Sequence, residues 1–127
     1  MREIKFRAWD KENKKMVYKN PWLWIDYAGL VSELKENKYV ARFGIFDIMQ
    51  YTGLDDKKGK EIYEGDIVEY KMPSPLYQNE TFITEKSTVI FSDINCRFQT
   101  DKGANLTPGH IVIGNIYENP ELLTNKD

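Results

Sequence analysis

Between Met49 and Tyr70 the chain reads MQYTGLDDKKGKEIYEGDIVEY, and no other stretch constrains the fold as tightly. Strand-forming residues stand at Met49 to Thr52 and again at Ile67 to Tyr70. Between them come Gly53, the charged run Asp55 to Lys60 around Gly59, and the corner Glu64-Gly65-Asp66. Glycine takes positive φ without steric cost, so Gly53, Gly59 and Gly65 are expected where the chain reverses. Asp66 is expected to accept backbone N–H bonds within its turn rather than to meet a ligand. A block of this kind builds antiparallel sheet and contains little that looks like chemistry.

The flanking sequence extends the β reading. Ile4, Phe6 and Ala8 alternate with Glu3, Lys5, Arg7 and Trp9, the period of a half-buried strand. Asp10 to Lys15 is a polar turn, and Met16-Val17-Tyr18 starts a returning strand. Pro21 stops that pattern, ahead of Trp22, Trp24 and Tyr27. From Asp26 to about Asn37, Tyr27, Leu30, Val31 and Leu34 fall at helical spacing, which predicts a short helix near 27–36 despite Gly29. Val40 to Phe43 and Ile45 to Tyr51 return to strand chemistry.

Lys71 to Lys86 carries Pro73 and Pro75 and reads as the longest irregular segment, with Phe82-Ile83-Thr84 able to pair as a short edge strand. Thr88 to Phe91 and Arg97 to Thr100 are predicted strands joined by Ser92-Asp93-Ile94-Asn95, and Asp101-Lys102-Gly103 is a further turn. Ile111-Val112-Ile113 lacks alternation, as in a strand buried on both faces. Asn119-Pro120-Glu121 predicts a helix start capped by Asn119, with Leu122 and Leu123 docking it.

These elements predict one mainly β domain over 1–127, α+β by count, with one or two short helices. A curled antiparallel sheet or a small SH3-like barrel of about six to eight strands would satisfy the pattern. Glu64-Gly65-Asp66-Ile67-Val68 is the turn-into-strand step such barrels use. At 127 residues the chain can bury a core without disulfides or a structural metal. The lone Cys96 cannot close an internal bridge and the lone His110 cannot assemble a multi-histidine site. No signal-peptide core or bilayer-length apolar run is present, so the expected setting is a reducing cytoplasm, away from membrane.

Three blocks together carry a resemblance: IKFRAWDKENKKMVY (Ile4 to Tyr18), MQYTGLDDKKGKEIYEGDIV (Met49 to Val68) and VIGNIYENPELL (Val112 to Leu123). In combination they resemble the YopX-like family of bacteriophage and prophage proteins, over essentially the whole chain. The resemblance implies a small, mostly β phage-encoded domain of uncharacterised function, in the bacterial host cell. It carries over no catalytic or ligand-binding residue.

For function, catalysis needs a base or nucleophile with an orienting partner. His110 follows Pro108-Gly109 and reads as a satisfied turn residue, and Cys96 as an ordinary thiol. Asp66 with Glu69, or Asp55 with Asp56, offers carboxylates for a hard cation, but Lys57, Lys58 and Lys60 make a salted turn the better account of the second pair. The chain has no P-loop, G-x-G-x-x-G, C-x-x-C or H-E-x-x-H motif. No catalytic residue, cofactor or metal ligand is therefore assigned, and a small hydrolase or nuclease is the third reading.

Most of the three Trp, eight Tyr and six Phe are expected to fill the core of a small β domain, but aromatics also anchor interfaces. Trp22 and Trp24, which follow Pro21 and flank the weak helix, are the candidates for partner contact, with ordinary packing as the alternative reading. The first reading is thus a non-enzymatic accessory protein that contacts a host or phage protein or forms a homo-oligomer. The second is a nucleic-acid module on a barrel face, with Lys11, Lys14, Lys15 and Lys19 on phosphate and Trp22 or Trp24 stacking. A net charge of −2 argues against that second reading, because counterion release grows with the number of phosphates neutralised.

Overall fold

The computed structural model describes residues 3–18, 23–25, 31–42, 44–73 and 82–124, without the side chains of residues 23, 24, 72, 73 and 82. Every strand pairing among them is antiparallel. The mainly β class expected from the sequence is the class observed. By contacts the chain divides into two compact units, Lys5–Gln50 and Met1–Ile4 with Tyr51–Asp127.

In the first unit, β1 (Phe6–Asp10) pairs with β2 (Lys15–Val17) and with the first half of β6 (Phe46–Asp55). A separate meander joins β3 (Leu23–Ile25), β4 (Val31–Lys35) and β5 (Lys38–Ala41). The helix predicted near 27–36 is therefore corrected over its described part, since Val31–Lys35 is a strand. Glu36 and Asn37 take φ of 50° and 66°, and Lys35 pairs with Lys38, which makes a two-residue reversal of the primed kind. Helical spacing of Val31 and Leu34 could not compete with that pairing. Residues 26–30 lie outside the description.

The alternation of β1 is also shifted. Ile4 and Phe6 are exposed, whereas Arg7 and Asp10 are buried beside Ala8. Arg7 Nη1 donates to the Tyr18 hydroxyl at 3.4 Å, and its guanidinium lies 5.8 Å from that ring's centre. A buried arginine of this kind gives no sequence signal, because its stabilising partner is 11 residues away.

In the second unit, β7 (Glu61–Tyr63) pairs with the second half of β6, and β8 (Asp66–Pro73), β9 (Phe82–Ser92), β10 (Arg97–Thr100) and β11 (Ile111–Asn115) form a sheet ordered β10-β9-β8-β11. Its core holds Ile62, Val68 and Val89, with Leu106 and Val112 packed against them. Strand β6 runs on through Gly53, whose φ of 88° falls where the ladder shifts register between Tyr51 and Asp55. Gly59 and Gly65, both at φ 84°, sit in the turns before and after β7. At that second corner the Tyr63 N–H donates to Asp66 Oδ2 at 2.8 Å, and Gly65 donates to Val89 O and accepts from the Ile116 N–H, both at 2.9 Å.

Three further expectations are corrected. Lys71 to Lys86 is not irregular at its ends: Lys71–Pro73 pair with Phe82–Thr84, so β8 and β9 form a long hairpin, and residues 74–81 lie outside the description. Pro73 sits at the last residue of β8, where a missing donor matters least. Strand β11 is an edge strand with an irregularity at Ile113, so Ile111, Val112 and Ile113 are half-buried rather than covered on both faces. The C-terminal helix is one 3-10 turn, Pro120–Leu123, and Asn119 makes no side-chain cap. Asn119 Oδ1 instead accepts from the Asn115 N–H at 3.2 Å, and Leu123 stays exposed while Leu122 is half-buried.

Candidate functional site

His110 and Cys96, the two residues weighed for acid–base or nucleophilic chemistry, lie in different settings. His110 is buried, with its ring 4.8 Å from that of Tyr70. Its Nδ1 accepts the Thr107 N–H at 3.1 Å, and its carbonyl accepts the Lys57 N–H at 2.9 Å. Burial pushes its pKa below 6.5, against the opposing pull of Thr107 and Glu85. Cys96 is exposed in the β9–β10 turn at φ 52°, and its thiol lies 3.5 Å from Asp93 O. Among the described residues no three His, Cys, Asp or Glu side chains come together as a metal-ligand set.

The carboxylates considered as cation ligands have other roles. Asp55 accepts from the Tyr51 hydroxyl at 2.7 Å. Asp56 is buried, and its Oδ1 accepts the N–H groups of Lys58 and Lys60 at 2.8 Å each. Its Oδ2 accepts the Val112 N–H at 2.9 Å. Burial raises its pKa, but the three amides, with the charge of Lys60 behind them, hold the carboxyl below 3.8. The turn is thus clasped by backbone amides more than by its lysines. Asp66 serves the Gly65 corner, and Glu69 pairs within the β8–β9 and β8–β11 ladders.

Of the lysines singled out in the sequence, Lys11 and Lys15 stand beside carboxylates. Lys11 is ion-paired to Asp47 at 3.2 Å. Lys14 is exposed in the β1–β2 turn at φ 54°. Lys15 opens β2 and lines a cleft of about 390 Å³ with Asp10, Tyr18, Glu33 and Phe46. Between Lys11 and Lys14, Glu12 meets Arg42 at 2.9 Å, and Arg42 Nε also lies 3.5 Å from Glu33. Lys19 and Trp22 fall outside the described residues, and Trp24 is placed only by its backbone, in β3 opposite Ser32. The described part of this hairpin is a mixed-charge surface, not a basic groove.

An apolar feature stands out in the second unit. The β9–β10 hairpin ends in the turn Asp93–Cys96, braced by an Asn95 N–H bond to Ser92 Oγ at 3.0 Å. At its apex Ile94 is 93% exposed. Below it Phe91, 44% exposed, packs edge-on against Phe98 across the ladder, with ring centres 5.2 Å apart. At the opposite end of β9, Ile83, Leu122 and Leu123 line a cleft of about 450 Å³ rimmed by Glu85, Lys86 and Lys102. There Lys102 Nζ donates to Lys86 O at 2.8 Å. An isoleucine inside the otherwise polar turn Ser92-Asp93-Ile94-Asn95 was a signal for this tip in the sequence. The cleft had none, because it joins residues 83 to 124.

The family model described as YopX protein matches residues 5–124. The crystal structure of protein EF1440 from Enterococcus faecalis is similar, with a TM-score of 0.61 and 29% identity over 98% of this chain and 100% of that one. That of protein yopX from Bacillus subtilis also has a TM-score of 0.61, with 25% identity and full coverage of both chains. Among curated protein sequences none matches. No helix among the described residues is long and apolar enough to cross a membrane.

Proposed function

The chain belongs to the YopX protein family, and from that premise we propose that it is a non-enzymatic, phage- or prophage-encoded accessory protein. In this reading it works in the cytoplasm of a bacterial host through protein–protein contacts. The observation that carries it is the braced β9–β10 tip, where Ile94 is 93% exposed above the Phe91–Phe98 pair. A turn held by its own hydrogen bonds loses little entropy on binding, and a cluster of exposed apolar side chains gains from being covered. The non-enzymatic part of the reading is supported by His110, Asp56 and Asp66, whose side chains each accept backbone N–H bonds. Nucleic acid is the poorer fit, since Lys11 is paired with Asp47 and Glu12 lies between it and Lys14.

The test is affinity capture from infected bacteria with the wild-type chain and with Ile94→Asp. A protein retained by the first, lost with the second and indifferent to nuclease is the expected result. Nuclease-sensitive capture, or equal retention by both, overturns the reading.

A further inference from the structure

The tip and the cleft are complementary, and they stand at the two ends of one strand. Ile83 lines the cleft and Phe91 underlies the tip, so about 26 Å of extended chain separates them at ~3.3 Å per residue. A molecule therefore cannot seat its own hairpin in its own cleft. The cleft, at about 450 Å³, is an open groove in which Ile83, Leu122 and Leu123 form an apolar patch among polar residues, a patch able to receive Ile94 and Phe91. The charges match as well. Lys86 and Lys102 on the rim face the chemistry of Asp93 on the tip, and Glu85 that of Arg97.

Resting on the protein-contact reading above, we infer that the occupant of the cleft is the β9–β10 tip of a second copy of this chain. Such a contact joins two different surfaces of the same molecule. Each copy then offers one tip and one cleft, and the contact closes reciprocally in a two-fold dimer or repeats into a larger ring or a filament. Ile94 supplies the anchor side chain, Phe91 and Phe98 its apolar base, and the lysine rim fixes orientation. This joins the homo-oligomer expectation to a specific pair of surfaces.

The experiment is sedimentation of the full chain from about 1 to 200 µM, the range where small transient interfaces form. The variants are Ile94→Asp on the tip and Leu123→Asp in the cleft, both at exposed positions, with Ile83→Asp as a second cleft variant should Leu123→Asp disturb the fold. The wild type is expected to associate with rising concentration, to a dimer or larger, and each variant alone to sediment as a monomer. An equimolar mixture of a tip variant with a cleft variant retains one intact contact and is expected to stop at the dimer.

A wild type that stays monomeric throughout, or a mixture that stays monomeric while the wild type assembles, overturns the inference. The latter result would mean a symmetric contact through like surfaces. If the wild type is monomeric yet Ile94→Asp still loses a captured protein, the second copy is excluded and the contact reading stands. If neither assay responds to Ile94→Asp, both fall.

Discussion

The turn that closes β1 on β2 and the turn that closes β6 on β7 use one device and reach different distances with it. In each, a buried aspartate begins the reversal and its carboxylate gathers amide protons. Asp10 Oδ1 accepts the N–H groups of Glu12 and Asn13 at 2.9 and 3.1 Å, and Oδ2 accepts Asn13 Nδ2 at 2.8 Å. All its bonds lie within three residues. Asp56 does the same for Lys58 and Lys60, and then spends its other oxygen on Val112, 56 residues away. Strand β11 is an edge strand with an irregular register, so an anchor to the turn replaces ladder bonds that it lacks on that side. The first aspartate shapes a loop, whereas the second fastens a strand.

Removing each carboxylate should separate these roles. Asp56→Ala leaves three donors without their acceptor and should destabilise by about 2–4 kcal/mol. Asp10→Ala disturbs a turn whose freed amides can turn to water, and should cost about 1–2 kcal/mol. Urea unfolding gives both values, and hydrogen exchange should show faster opening at Val112 for Asp56→Ala alone. Equal costs, or a Val112 amide that stays protected, would break the comparison.

The same division separates what the sequence disclosed from what it hid. The hairpin and corner between Met49 and Tyr70 were legible because period-two apolar residues and positive-φ glycines act over a few positions. Asp66 was legible for the same reason, since its partner Tyr63 is three residues away. The Asp56–Val112 bond, the burial of Arg7 and the Ile83–Leu122–Leu123 cleft were not, because each is made by residues distant in the chain. Val31 and Leu34 misled, since their spacing also fits a helix and the Glu36-Asn37 reversal contains no glycine. Ile94 was readable as an apolar residue in a polar turn.

Acid should expose the two turns in sequence with a third group. Burial holds the His110 pKa below 6.5, so the unfolded chain takes up that proton before the folded one does. The stability contributed by the neutral imidazole is thus present above pH 6.5 and is lost as pH falls below it. Asp10 and Asp56 are raised by burial but lowered more by the hydrogen bonds they accept, with folded pKa values below 3.8. Their contribution is present above pH 3.8 and is lost as pH falls through the folded values. Unfolding free energy from pH 8 to 2 should therefore decline twice. His110→Asn should remove the upper decline, and Asp56→Ala and Asp10→Ala should each shrink the lower one. A profile that is flat between pH 7 and 5 would remove His110 from the account.

The smallest effects sharpen the comparison most, because they isolate backbone from contacts. Each turn places one residue in the left-handed region, Lys14 at φ 54° in the first and Gly59 at φ 84° in the second. A Cβ at Gly59 would meet nothing within 4 Å, so Gly59→Ala tests conformation alone and should destabilise by about 1 kcal/mol. Lys14 already carries that cost. Lys14→Gly relieves it while giving the unfolded chain more freedom, worth about 0.4–1 kcal/mol in the opposite direction. The two contributions nearly cancel, and the net change should stay within about 0.5 kcal/mol. Paired thermal melts would resolve both. A loss near 1 kcal/mol for Lys14→Gly would mean that the lysine side chain, not only its backbone, holds the first turn, and the two turns would then differ in kind rather than in reach.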